Sequence, residues 1–483
     1  MSAVRKQSDE AAALNANSLL IDALLGGTVA MRAAGATYMP KQPNEDEEDW
    51  KYRLANAVLY PAFERTVEVL AGKPFSKKLD LGADVPARIA AWQDNIDLQG
   101  NSLHTFAASI CEETISHGFS GILVDFPKAV GLKTKADEKA AGVRPYFVHI
   151  HPQNVLGWES EVINGVEEFT QLRLLESAKE KTDEFTQTTV PQVRVLYRGK
   201  WQTWRKSKVM ATRDEWALHE EGGSLPRIPF VASYGKRKGF MCSKPPLMAL
   251  AEQNSKHWRE SSDQDDSVRF ARKRMLVLIG LDNSDPLTIS SNAAVKLPTG
   301  ADAKVVQGSA EAVKIGRDEL NTLEEQMRQS GAEMMVIRPG KITATQTASE
   351  GEGNMCALQR IANDLDKCIE QALQFMADWI VEPKGGTVTI FKDFGAATLD
   401  EVSADLLFKA TVAGKMSNES LHEEFQRRGI RSADVDWEAE KKRIESDRAS
   451  DEPPTFDVPM PKTPPKPGPP PGTKPEPEPV PPA

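Results

Sequence analysis

The chain has few cysteines, no phosphate-binding glycine loop and no long apolar run, and each absence removes a class of protein. Its four cysteines are Cys111, Cys242, Cys356 and Cys368, and no two form a CxxC pair. A disulfide-stapled domain or a zinc ribbon needs a denser, more regular pattern. Cys111, Cys356 and Cys368 lie in helix-like stretches, where a thiol packs as a small apolar group. Reduced, structural cysteines are therefore expected. No segment approaches the roughly 18 consecutive apolar residues of a membrane span. The opening MSAVRKQSDEAAALNANSLL carries charge on both sides of a weak apolar stretch and lacks the apolar h-region of a signal peptide. A protein that stays where it is made, with no membrane partner, is expected.

Catalytic signatures are also missing. A P-loop needs glycines upstream of a Lys-Ser/Thr pair. The nearest segments, Gly72-Lys73-Pro74 and Gly199-Lys200-Trp201, have neither the upstream glycine nor the hydroxyl. GxGxxG motifs, a nucleophile elbow and a Ser/His/Asp context are absent. The expectation is no enzyme and no cofactor. His149-Ile150-His151 places two imidazoles on one face of a strand, a geometry that can bind metal. The spacing offers no third ligand, and two polar residues ending a strand before Pro152 is the simpler account, so no metal site is expected. Asp263, Asp265 and Asp266 read as a solvated helix face. Lys236-Arg237-Lys238 and the group Arg269, Arg272, Lys273 and Arg274 have no interleaved aromatics of the kind that stack bases.

What is present is a 483-residue chain with 40% hydrophobic and 27% charged residues, enough for two or three domains with a real core. The net charge of -10 excludes a tight, sequence-reading DNA binder. It is compatible with a protein that lets DNA slide past without sticking.

Periodicity gives the order of elements. Asn44 and the acids Glu45 to Asp49 predict a helix start. Pro61 must split the helical run that follows, and Gly72 and Pro74 end it. A second helix is predicted over 102–117 with Leu103, Phe106, Ala107, Ile110 and Thr114 on one face, then a buried strand from Ile122 to Phe126. The lysine-rich stretch 128–142 reads as a surface loop. From 143 to 235 the period changes to two, with a hairpin turning at Arg198-Gly199-Lys200. Pro245 and Pro246 open a long helix whose stripe is apolar at both ends and polar in the middle (SSDQDD). A helix in a dry core does not look like this; one lining a hydrated channel or a wet ring interface does. Short strands at Leu276 to Leu281 and Ala303 to Val306 precede a helix over 317–335. A Thr/Ser/Gly-rich loop over 338–353 leads to a strongly periodic helix over 354–381 and a strand at Thr387 to Phe391. Ser417 predicts an N-cap, and Met416 with Leu421 a hydrophobic staple. From Pro453 onward fifteen of 31 residues are proline, a composition that stays extended and builds no core.

Several phrases resemble the portal superfamily of tailed bacteriophages, in a branch known as a domain of unknown function. They are YMPKQPNEDEEDWKYRLANAVLYPAFERTVEVLAGKPF, GILVDFP, RPYFVHIHPQNVLGWE, TATQTASEGEGNMCALQRIANDLDKCIEQAL, and GKMSNESLHEEFQRRGI followed by DWEAEKKRIESD. Their order along residues 35–450 carries the resemblance. It implies an α+β, portal-like fold with wing, stem, clip and crown regions, assembling into a ring. The implied division is a weakly ordered arm (1–44), a wing (45–246), a stem helix (247–275), a clip (276–315) and a returning stem helix (316–336). A tunnel loop (337–353), a long wing helix and strand (354–395), crown-like helices (396–449) and a disordered tail (450–483) complete it. By the same resemblance Arg338, Lys341, Thr343, Thr345, Thr347 and Ser349 face a DNA channel. The implied partners are further copies of the chain in a ring of twelve, double-stranded DNA without sequence preference, the terminase large subunit, a head-tail adaptor, and the major capsid and scaffolding proteins. The implied location is the virion portal vertex, with assembly in the host cytoplasm. The alternatives are another head-tail structural protein or an assembly-associated enzyme such as a nuclease.

Overall fold

The computed structural model describes residues 3–127, 142–206, 216–272, 275–279, 302–336, 355–392, 417–427 and 435–450, with isolated positions at 300, 409, 411, 414 and 415. Helices and antiparallel sheets are mixed along the chain, and the fold is α+β.

Residues 1–44 are not the weakly ordered arm expected of them. Helices Asp9–Leu14, Ser18–Leu25 and Gly27–Ala34 run through this stretch. Ile21, Leu24, Met31 and Met39 are buried in the main core. The first helix is capped by Ser8, whose hydroxyl accepts from the Ala11 N–H at 3.2 Å. The Ser8 N–H in turn donates to the Leu156 carbonyl at 2.8 Å. Arg173 donates to the carbonyls of Ala3, Val4 and Lys6, which fastens the start of the chain to the β region. These contacts are long-range, and six- to eight-residue helices are too short to show a period.

The split at Pro61 is as expected, giving helices Glu47–Asn56 and Ala62–Gly72. The cap of the first is Asp46, which accepts from Asp49 N–H at 2.8 Å, and not Asn44. Asn44 instead has φ 65°, a left-handed turn conformation that Asn tolerates.

Helix Leu103–His117 starts at the Ser102 cap and ends at Gly118, which has φ 79°. A Cβ at Gly118 would run into the backbone of Lys244 and Pro245, so this helix end needs glycine for both conformation and space. The chain then enters strand Phe119–Asp125, buried along nearly its whole length. It is the centre of a three-stranded antiparallel sheet, between Tyr146–Ile150 and Phe230–Tyr234. A five-stranded antiparallel meander follows: Val155–Ile163, Val166–Lys181, Gln187–Tyr197, Lys200–Lys206 and Trp216–Gly223. Its third turn is the two-residue hairpin Arg198-Gly199, with Tyr197 opposite Lys200. Phe119, Leu123, Ile150, Leu172, Leu174 and Phe230 form a second core between the two sheets. The surface loop expected at 128–142 lies almost wholly outside the described residues.

The main core is organised by helix Ala357–Ile380. Leu358, Ile361, Leu365, Ile369, Ala372 and Met376 are all buried, as its period predicts. Cys111, Cys356 and Cys368 are buried and all four cysteines are unpaired. Burial pushes the Cys111 and Cys368 thiols up to about 12, which keeps them unreactive. Toward the C-terminus the described helices are Asn418–Arg427 and Trp437–Ser450. Ser417 caps the first, its hydroxyl accepting from Ser420 N–H at 3.0 Å. Met416, the proposed staple partner, and the proline-rich segment lie outside the described residues.

Candidate functional site

Two features stand out: a projecting helix pair with a β-hairpin at its tip, and a buried polar cluster in the β region.

The outgoing helix is Met248–Arg272 and the returning helix Ala310–Ala332. Leu250, Ala251 and Trp258 of the first and Met327 of the second belong to the main core, so the pair is rooted there. Asn254 is fully buried, and its partners explain it: its amide oxygen accepts from Phe63 N–H and its amide nitrogen donates to the Tyr60 carbonyl, both at 2.9 Å. Pro61 leaves those two backbone groups without helix partners, and Asn254 supplies both.

Beyond the root the contacts between the helices turn polar. Gln264 donates to the Val313 carbonyl at 2.7 Å, and Gln307 to the Ala271 carbonyl at 3.1 Å. Lys256 stands 3.5 Å from Glu319, and His257 3.6 Å from Glu324. Gln253 faces Ser330, Gln264 faces Val313 and Ala271 faces Gln307, so the helices are antiparallel. Between Gln253, which accepts from Ser330, and Ala271 the pair extends about 27 Å at the α-helical rise. Burial pushes the His257 imidazole below its ordinary value, against the pull of Glu324. At the tip, strands Met275–Ile279 and Asp302–Val306 pair antiparallel, Met275 opposite Val306. Phe270, Val305, Val306 and Ile315 are exposed around this tip.

The returning helix starts at Ala310, not at the predicted 316–317, so residues 310–315, which the resemblance assigns to a clip, are helical. Ser309 caps it, accepting from Ala312 N–H at 3.3 Å. Gly316, which suggests a turn in the sequence, sits inside the helix with its missing side chain facing the Gln264 amide.

Asp263 is not simply solvated. It accepts from Gln42 at 2.7 Å and from Arg53 at 3.3 Å, and Arg53 is itself buried and paired through two nitrogens with Glu45. The basic clusters meet aromatics from elsewhere in the chain. Arg269 lies 4.8 Å from the Tyr52 ring and Arg237 4.7 Å from that of Tyr234.

Arg338, Lys341, Thr343, Thr345, Thr347 and Ser349 lie outside the described residues. On either side of their segment, Met334 and Cys356 are both buried in the main core.

The polar cluster joins helix Leu103–His117 to the three-stranded sheet. Phe106, Ile110, Glu113 and His117 recur at helical spacing and are all buried. Glu113 faces His149 on strand Tyr146–Ile150 and His151 just past its end. Its Oε2 lies 2.6 Å from His149 Nε2 and its Oε1 2.5 Å from His151 Nδ1. The two rings are 4.4 Å apart. Ser120, fully buried, donates to Glu113 Oε2 at 2.8 Å. Burial alone would raise the Glu113 pKa, but the hydrogen bonds and charge of His149 and His151 hold it at about 2. The hydrogen bond to Glu113 raises the His151 pKa in turn. The sequence pairs the two histidines; the fold adds a third ligand-type residue. One signal for it is visible in the sequence: Glu113 is an acid on the buried face of an otherwise apolar stripe.

A family model described as a domain of unknown function (DUF4055) matches residues 246–380, the stretch from the outgoing helix to the end of the long core helix. No curated protein sequence matches the chain. Among solved structures, a chain of the virion of a native gene transfer agent particle is similar at TM-score 0.37 and 10% identity, covering 82% of this chain and 96% of that one. A chain from the neck of the native particle, computed with C12 symmetry, gives TM-score 0.37 and 11% identity over 83% and 98%. One from the neck of the empty particle, computed with C6 symmetry, gives TM-score 0.37 and 11% identity over 81% and 96%. Likeness at that level carries no argument about function.

Proposed function

We propose that this chain is a portal protein of a tailed bacteriophage: one subunit of a ring at a single capsid vertex through which DNA enters and leaves. The observation that carries the reading is the antiparallel helix pair Met248–Arg272 and Ala310–Ala332, rooted in the core and tipped by a β-hairpin. It occupies the place in the chain where the resemblance puts stem and clip. Polar contacts along the pair suit a wet subunit interface better than a dry core. Exposed Phe270, Val305, Val306 and Ile315 at its tip are surface that a neighbouring subunit would cover.

In this reading the segment 337–353 lies between the returning helix and the long core helix and faces the channel. Arg338 and Lys341 meet phosphates, which sets position and carries no base information. Thr343, Thr345, Thr347 and Ser349 make weak contacts blind to sequence, and Glu350 and Glu352 oppose tight binding. The ring is a dodecamer in the virion, docking the terminase large subunit during packaging and a head-tail adaptor afterwards. The major capsid and scaffolding proteins surround it during assembly in the host cytoplasm. Its role is structural, without catalysis. Light scattering on the concentrated, full-length protein tests this: a ring-sized mass supports it, and monomer alone, with no ring in assembling capsids, counts against it.

A further inference from the structure

Glu113, His149 and His151 each bring one ligand atom to within 4.8 Å of the others. They come from a helix and from the end of the strand packed against it: His149 lies in Tyr146–Ile150 and His151 directly follows it. We propose that these three residues form a binding site for a transition-metal dication of the zinc class. The site fastens helix Leu103–His117 to the three-stranded sheet, whether or not the chain forms a ring.

The donor set selects the class. Two imidazole nitrogens and one carboxylate oxygen suit zinc and its neighbours, whereas magnesium and calcium take oxygen ligands. Distances fit with small side-chain rotations. Bonds of about 2.0–2.1 Å in a tetrahedron separate ligand atoms by roughly 3.3 Å. The pair His149 Nε2 and Glu113 Oε2, now 2.6 Å apart, opens by rotation to admit the ion. Both histidine nitrogens face one carboxylate, so each short contact needs a bridging proton. A single dication replaces both protons and leaves the histidines neutral. Ser120 Oγ lies 2.8 Å from both Glu113 Oε2 and His149 Nε2, so it stands beside the two ligand atoms and holds the carboxylate as a donor. The side chain of Glu113 is 10% exposed and that of His151 50%, so the site is anchored inside and open to solvent on one side. Water completes the coordination there. His117 and Asp22, 3.0 Å apart, form a neighbouring pair outside the donor set.

The test uses tag-free, full-length protein stripped with EDTA and dialysed. Zn2+ is titrated by calorimetry, and Co2+ serves as an optical probe. One Zn2+ per chain is expected, with Co2+ giving visible d–d absorption of a low-coordinate nitrogen/oxygen site. His151→Gln, at a half-exposed position, should keep its circular dichroism and weaken Zn2+ binding by at least about tenfold. Glu113→Gln should weaken it similarly, and His117→Gln should leave it unchanged. No stoichiometric Zn2+ binding, or binding unaltered in a folded His151→Gln variant, overturns the proposal.

Discussion

Single residues in this chain answer to partners far away in sequence. Asn254 is the clearest case. Its position in the stripe of the outgoing helix is legible, but its polarity makes sense only beside the backbone break at Pro61. Asn254→Ala leaves the Phe63 N–H without its acceptor and takes from the Tyr60 carbonyl one of its two donors, the other being Ala62 N–H, and should cost about 1–3 kcal/mol, read as a lower midpoint in urea. Asn254→Asp keeps an acceptor for Phe63 but sets a fully buried carboxylate against the Tyr60 carbonyl, so it should cost at least as much as Asn254→Ala. If Asn254→Ala unfolds like the parent, the two bonds do not hold the helix to the break. Gly118 follows the same logic: Gly118→Ala must strain a positive φ and displace the Lys244–Pro245 backbone, and should cost more than about 1 kcal/mol. The polar cluster was half legible. His149 and His151 declare themselves two residues apart, whereas Glu113 lies 36 residues from His149 and becomes a partner only through packing of helix on sheet.

Among elements, long helices were readable because an apolar period repeated over six turns is a strong signal. The helix Ala357–Ile380 and the split at Pro61 follow from it directly. Short elements were not, since the helices before residue 35 are held by the Ser8 cap of the first and by burial of Ile21, Leu24 and Met31 in the main core and not by their own period. The returning helix starts earlier than the expected 316–317, because the Ser309 cap sets its start seven residues before Gly316. The helix pair should also respond to acid. Burial lowers the His257 pKa from 6.5, so the unfolded chain takes up the proton first. This contribution to stability is complete above pH 6.5 and is lost as pH falls below it. Replacing His257 with Gln should remove that part of the pH dependence between neutral and mildly acidic buffer. An unchanged slope would assign it to other groups. The segment between the helices is tested by deleting Thr343 to Ser349, with assembly checked first. Rings that package or retain DNA poorly support channel contact; rings with normal genome length and retention make the segment a plain linker.

For the whole molecule, the sequence conveys an α+β chain with a projecting helix pair, while the assembly follows from neither period nor composition. A heterologous interface closes into a ring only when its rotation allows, and one chain does not display that rotation. By composition the proline-rich end is expected to add little to the folded body, since it cannot bury enough apolar area to offset ordering. A chain ending at Ser450 should therefore keep its melting temperature, and a large drop would mean that the tail docks on the body. The central claim is the ring itself. Negative-stain electron microscopy of the purified, full-length protein tests it most directly. End-on views of closed rings with a central channel, of one or a few closely related subunit numbers, are expected. A field of separate monomers or of solid particles without a channel, at high protein concentration, would contradict the ring.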